Sequence, residues 1–304
     1  MFECKRLMLM TTRKIHFLLF SGLSILLIGL TSWFFYFSFQ PAERFNGRRA
    51  YKDVLNQVSF GARTPGSSSH TQEIAYIQQE LEKVGWEVQI QTTVWQGFFI
   101  QNIIASRSLL APRILLGAHY DSRLLADQDK GPRRSEPVPG ANDGASGVAI
   151  LLELARTIPA DDNSVRLIFL DAEDNGGLDN RSWIMGSRAF VAALTEKPQV
   201  AVIVDMVGDE DLDIYFERNS NNTLAAEIWT RAAALGYSEN FIATPKYNMI
   251  DDHIPFLEAG IPAVDIIDFD YPYWHTSADT VDKVSARSLQ VVGETLLSWL
   301  ESQR

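Results

Sequence analysis

Among the acidic residues and histidines of this 304-residue chain, six assemble into a candidate cluster that could grip a divalent metal: His119, Asp143, Glu173, Asp174, Asp205 and His275. Imidazole plus carboxylate is the donor set that suits zinc, and a catalytic zinc keeps one position open for substrate or water. The set is densest in Asp171-Ala-Glu-Asp174, which ends the apolar run Val165–Leu170. Adjacent side chains on an extended segment point in opposite directions, so one of Glu173 and Asp174 can hold a metal while the other faces a substrate. Taken singly, each residue has a structural explanation. His119 reads as an interior histidine, Asp143 as a turn residue, Asp205 as a strand-end cap and His275 as a ring packed beside Trp274. What points to one site is that the residues lie at the ends of separate elements.

Those elements follow from hydrophobic periodicity. The segment 71–84 has helical spacing, and 87–95 and 98–106 alternate as two strands around a Gln96-Gly97 hairpin turn. A short apolar strand over 113–118 ends at His119, and 124–140 reads as a charged loop on the rim of the site. Gly140-Ala-Asn-Asp-Gly-Ala-Ser-Gly147 opens a helix over 146–158. Strands are predicted at 165–170, 200–204 and 263–267, and helices at 187–194, 223–235, 251–259 and 285–302. This alternation predicts an α/β fold: a single-domain, mixed, mostly parallel sheet flanked by helices. Open sheets of this kind bind ligands in the crevice beyond the carboxyl ends of their strands.

The formal charge of −11 disfavours holding nucleic acid by electrostatics. The N-terminus runs against that balance, with Lys5, Arg6, Arg13 and Lys14 opposed by Glu3 alone. Residues 17–39 then carry no charge, long enough to cross a hydrocarbon core of about 30 Å. Trp33-Phe34-Phe35-Tyr36 suits an interfacial aromatic belt at the far end. The expected organisation is a cytoplasmic segment 1–16, a transmembrane signal anchor 17–39, a linker 40–50 and an extracytoplasmic catalytic domain 51–304. Secretion after signal cleavage is the alternative. Cys4 is the only cysteine, so no intrachain disulfide forms.

The ordered series His-Tyr-Asp (119–121), Asn-Asp-Gly-Ala-Ser-Gly (142–147), Asp-Ala-Glu-Asp (171–174), Asp205, Asp-Asp-His-Ile-Pro-Phe-Leu (251–257) and Trp-His-Thr (274–276) resembles the zinc aminopeptidase superfamily. Within it, Asp251 and Trp274 resemble the animal-type glutaminyl-peptide cyclotransferases, over roughly residues 51–302. The resemblance implies one zinc held by Asp143, Asp174 and His275, with Glu173 as general acid/base. It also implies a hydrogen-bonded pair of Asp205 and Asp251, and a pocket walled by Trp274, Tyr271 and Trp183. Asp174 stands where that family has Glu, and Ile250 where it has Gln. The implied substrate is a peptide or protein with N-terminal glutamine, cyclised to pyroglutamate. One alternative is a two-zinc aminopeptidase in which Asp143 bridges two ions, and His119 and Asp205 hold the second. Another is a catalytically silent, membrane-tethered binding domain. His253, after two aspartates, is read as a supporting residue and not a ligand.

Overall fold

The computed structural model describes residues 45–108 and 110–304. Strands β1 (Glu87–Trp95), β2 (Phe98–Ser106), β3 (Ile114–His119), β4 (Val165–Leu170), β5 (Val200–Asp205) and β8 (Ala263–Ile267) form one sheet in the order β1-β2-β4-β3-β5-β8. β4, β3, β5 and β8 run parallel, while β1 and β2 join as an antiparallel hairpin edge. The hairpin turns at Gln96 and Gly97, both with positive φ, as a two-residue turn requires. A small parallel pair, β6 (Ile214–Phe216) and β7 (Phe241–Pro245), lies outside this sheet.

The central strands alternate between two cores. Leu116, Ala118, Leu167, Phe169, Val202 and Val204 pack with helices α1 (Gly47–Ser59), α2 (Ser68–Lys83), α3 (Ala145–Thr157), α5 (Asn222–Ala234) and α7 (Ala286–Ser302). On the other face Leu115, Ile168, Leu170, Ala201 and Ile203 pack with Phe190 of α4 (Met185–Ala192) and Phe256 of α6 (Ile254–Glu258). Burial on both faces is why these strands read as continuous apolar runs. Each fully buried Leu, Ile or Phe contributes about 1.5–3 kcal/mol. Across the helices, Arg156 of α3 binds Asp53 of α1 and Glu80 of α2, and Arg49 binds the buried Glu153.

Two expectations need correction. The segment expected as a linker up to residue 50 belongs to the fold from Phe45 onward. Phe45 is buried against Gly293, and Asn46 caps α1. α1 packs into the fold through polar residues as well, Asp53 and Gln57 being buried by partners far along the chain. The small sheet β6/β7 also had no counterpart among the expected strands, its members being too short to show a period. Among the described residues no helix is long and apolar enough to cross a membrane, and the expected anchor 17–39 lies outside them.

Strand order reverses at β3, whose neighbours are β4 on one side and β5 on the other, so a crevice opens at their carboxyl ends. α3 lies against this point through Gly147, where a Cβ would come within 2.3 Å of the Val204 carbonyl oxygen. Gly147→Ala is therefore expected to destabilise the fold by about 1–3 kcal/mol. The readout is a lower urea midpoint with unchanged slope, and an unaltered midpoint would contradict the close packing.

Candidate active site

The ligand-type residues arrive from several separate elements. His119 closes β3, Asp205 closes β5, Glu173 and Asp174 follow β4, and His275 lies in the loop after β8. Asp143 comes from the turn before α3. That turn is tied down by neighbours: Asn142 Oδ1 accepts from Gly208 N at 2.7 Å, and Ser146 Oγ accepts from Val207 N at 3.1 Å. Asp279 accepts from the backbone N–H of both Asn142 and Asp143, at 2.8 and 3.1 Å. Gly144 has φ +94°, and a Cβ there would meet the Asp121 carbonyl oxygen at 2.7 Å, so the turn needs glycine.

The segment after β4 is positioned by Asp121, whose carboxylate accepts from Glu173 N at 3.0 Å and from Asn175 Nδ2 at 3.0 Å. Ala172, Ile184, Met206 and His275 all hold left-handed φ between 47° and 55°. Such backbone costs of order 1–3 kcal/mol per residue and persists only where surroundings fix it, which is typical of functional sites.

The donor atoms converge. One ligand atom from each of Asp143, Asp174 and His275 lies within 4.8 Å of the others, and the same holds for His119, Asp143 and Asp205. His275 Nε2 is 2.7 Å from Asp174 Oδ1 and 3.7 Å from Asp143 Oδ2, while His119 Nε2 is 3.0 Å from Asp205 Oδ1. Asp143 is shared. Oδ2 of Asp143 and Oδ2 of Asp174 are buried without a hydrogen-bond partner. Unpartnered buried carboxylate oxygens on two residues that share a cradle with an imidazole nitrogen fit a bound zinc.

The electrostatics agree. Burial, with the charge of Asp143 behind it, pushes Asp174 up to about 6 against the pull of His275. Burial likewise pushes Asp205 up to about 7 against His119, with Asp251 and Asp143 adding to the rise. Burial also raises Glu173 well above the usual glutamate range, opposed by His119 and reinforced by Asp251, Asp174 and Asp252. For His119 burial acts downward, yet Asp205, Asp121 and Asp143 raise it well above an ordinary histidine. Asp143 moves the other way: against burial, its hydrogen bond to His119 and the charges of His119 and His275 hold it below the usual aspartate range. The cradle thus gathers buried carboxylates beside imidazoles, a charge arrangement that a divalent cation would relieve.

A cavity of about 290 Å³ sits over the cradle, lined by the ligand-type residues Asp143, Asp174, Asp205 and His275, by Glu173 and Asp251, and by Trp183, Trp274, Phe269 and Ile250. Trp274 stacks on His275 with centroids 3.6 Å apart, and Trp183 lies nearly parallel to the same ring at 5.9 Å. Gly176 makes room for Trp183, whose indole would lie 2.1 Å from a Cβ there. Two larger surface grooves, one along α5 and the chain end and one between α1 and α2, have no histidine in their lining.

Two placements depart from expectation. Tyr271 is not a pocket wall; it is buried below the floor, where its hydroxyl donates to Asp279 at 2.7 Å and so steadies the turn carrying Asp143. Phe269 takes the wall position. Asp205 and Asp251 line the same cavity without bonding to each other. Asp205 turns to His119, and Asp251 accepts from the Asp252 backbone. His253 is wholly buried between Glu217 at 3.2 Å and Asp265 at 3.6 Å. Asp251, His253 and Asp265 also bring ligand atoms within 4.8 Å of one another, a third group that sequence reasoning did not assemble. The supporting acids Asp121 and Asp279 were missed as well, although each lies within four residues of a ligand-type histidine.

The model for peptidase family M28 matches residues 102–300. Glutaminyl-peptide cyclotransferase of Boiga irregularis is 26% identical, with 84% of this chain and 81% of that protein covered. Among solved structures, Tannerella forsythia glutaminyl cyclase superposes with a TM-score of 0.81 at 33% identity, covering 86% of this chain and all of the other. A leucine aminopeptidase precursor from Bacteroides thetaiotaomicron gives a TM-score of 0.81 at 32% identity, covering 86% of this chain and 99% of its own. The chain belongs to peptidase family M28, the zinc aminopeptidase superfamily that also holds the glutaminyl cyclases it resembles.

Proposed function

We propose that this chain is a zinc-dependent glutaminyl-peptide cyclotransferase, closing an N-terminal glutaminyl residue to pyroglutamate with release of ammonia. The observation that carries this reading is the placement of Glu173: a buried carboxyl group in a small cavity walled by Trp183, Trp274 and Phe269, beside the Asp143–Asp174–His275 cradle. When bound in that cradle, zinc supplies a Lewis acid that polarises the carbonyl of the substrate's side-chain amide. Nucleophile and electrophile belong to the same residue, so folding that residue into a tight pocket supplies the proximity. The α-amine nitrogen bonds to the side-chain amide carbon. Glu173 takes a proton from that nitrogen and passes it to the amide nitrogen as the carbon–nitrogen bond breaks, so ammonia leaves. Its raised proton affinity suits a group that must hold the proton between the two steps. The aromatic walls keep out the water that would otherwise compete with the amine. Ile250, largely exposed where it lines the same cavity, is placed to meet the rest of the peptide.

One observation favours a second reading. His119, Asp143 and Asp205 form a second convergent set, which would complete a two-zinc aminopeptidase that releases whole N-terminal residues. Metal content and product separate the two. For the N-terminus, we propose that residues 17–39 anchor the chain in a bilayer with 1–16 on the cytoplasmic side and the catalytic domain outside. The absence of charge across this stretch and the basic residues before it support that reading.

Incubated with a Gln-initiated peptide, the zinc-loaded chain is expected to yield a product lighter by one ammonia, read by mass spectrometry. Release of free glutamine with two zincs per chain would replace the cyclase reading with the peptidase one. Glu173→Gln is expected to lower kcat by about 10²–10⁴-fold while metal analysis finds the zinc content unchanged. Retained turnover would remove Glu173 from the chemistry.

A further inference from the structure

The charged loop after β3 has no part in the chemistry above, yet its first turn runs behind the metal cradle. Arg123 is buried, and its guanidinium Nε and Nη2 meet the two carboxylate oxygens of Asp127 at 2.7 and 2.8 Å. Nη1 donates to the backbone carbonyl of Asp174 at 2.8 Å, and the guanidinium lies 4.9 Å over the Trp183 ring. Held by this fork, Asp127 places Oδ1 3.5 Å from Nδ1 of His275. The next residue reinforces the contact, since Gln128 N donates to the His275 carbonyl at 3.2 Å.

The two nitrogens of His275 therefore face different partners. Nε2 looks into the cradle, toward Asp174 at 2.7 Å and Asp143 at 3.7 Å. An imidazole that binds a cation through Nε2 carries its remaining proton on Nδ1, and a partner that accepts that proton fixes both the tautomer and the ring's tilt. Among the described residues, Asp127 is the acid within ion-pairing distance of Nδ1. A planar, two-pronged Arg–carboxylate pair holds its geometry where a flexible Lys would not.

We propose that Asp127, clamped by Arg123, is a positioning residue that orients His275 and thereby tightens zinc binding by Asp143, Asp174 and His275. Arg123 serves the same end from the other side, because its bond to the Asp174 carbonyl couples the loop of one ligand to the loop of the other. The inference rests on these three residues being the ligands, and it is independent of which reaction the zinc serves.

The test is the zinc dissociation constant of the full chain, measured by competition with a chromophoric chelator. Asp127→Ala is expected to weaken zinc binding by about 10–100-fold. Asp127→Asn should lose less, because its amide oxygen offers Nδ1–H an acceptor in the same place, and this graded response is one that general loosening of the fold would not produce. The cobalt-substituted chain should show a shifted visible spectrum in the alanine variant. If Asp127→Ala does not fold, Asp127→Asn and Arg123→Lys carry the test, each expected to bind zinc more weakly than the parent. Zinc affinity equal to the parent's in the folded variants, with His275→Ala strongly weakened, would overturn this inference and leave the ligand set standing. Parental affinity in His275→Ala would instead sink the ligand set itself.

Discussion

Buried like charge is the constraint on which this structure depends. Asp143, Glu173, Asp174, Asp205 and Asp251 all line one cavity and all are nearly inaccessible to water, with His119 and His275 as the facing imidazoles. Carboxylates in such a place either take up protons or share a cation, since leaving them charged and alone is prohibitively costly. The raised proton affinities of Asp174, Asp205 and Glu173 describe the first outcome, and the convergent, unpartnered oxygens of Asp143 and Asp174 describe the readiness for the second.

Much of the surrounding fold serves to hold those charges against their repulsion. Asp121 gathers the backbone of the segment after β4, and Asp279 gathers the backbone of the turn before α3. Tyr271 in turn steadies Asp279. The left-handed residues Ala172, Met206 and His275 sit beside or within the ligand-type positions, so backbone strain and charge repulsion are concentrated in the same few loops. The stabilising counterweight lies elsewhere: in the fully buried β3, in α3, where nearly every residue is buried, and in the ion pairs that knit α1, α2 and α3 together.

How legible this was in the sequence depended on how local the signal is. The hairpin strands and β4 and β8 fell where alternation and apolar runs placed them, because period and turn chemistry act within a few residues. Most of the ligand-type residues stood out because they end or directly follow an apolar strand or open a helix, while His275, in a loop, stood out only beside Trp274 and through the family resemblance. What escaped was non-local. Tyr271 looked like a wall residue from its place in the last loop, but only the folded chain brings its hydroxyl to Asp279. α1 was hidden because its buried polar residues find partners far away in α3. Asp127 read as part of a charged loop on the rim of the site and Arg123 was not singled out, and their role emerges only when His275, far along the chain, arrives beside them.

The most direct measurement is a crystal structure of the zinc-soaked chain with data collected on both sides of the zinc absorption edge. The account predicts an anomalous peak bonded to Asp143, Asp174 and His275 at distances of about 2.0–2.2 Å, with the Glu173 carboxylate next to it and not coordinated. A peak that omits any of those three ligands, or no peak in the crevice at all, would contradict it.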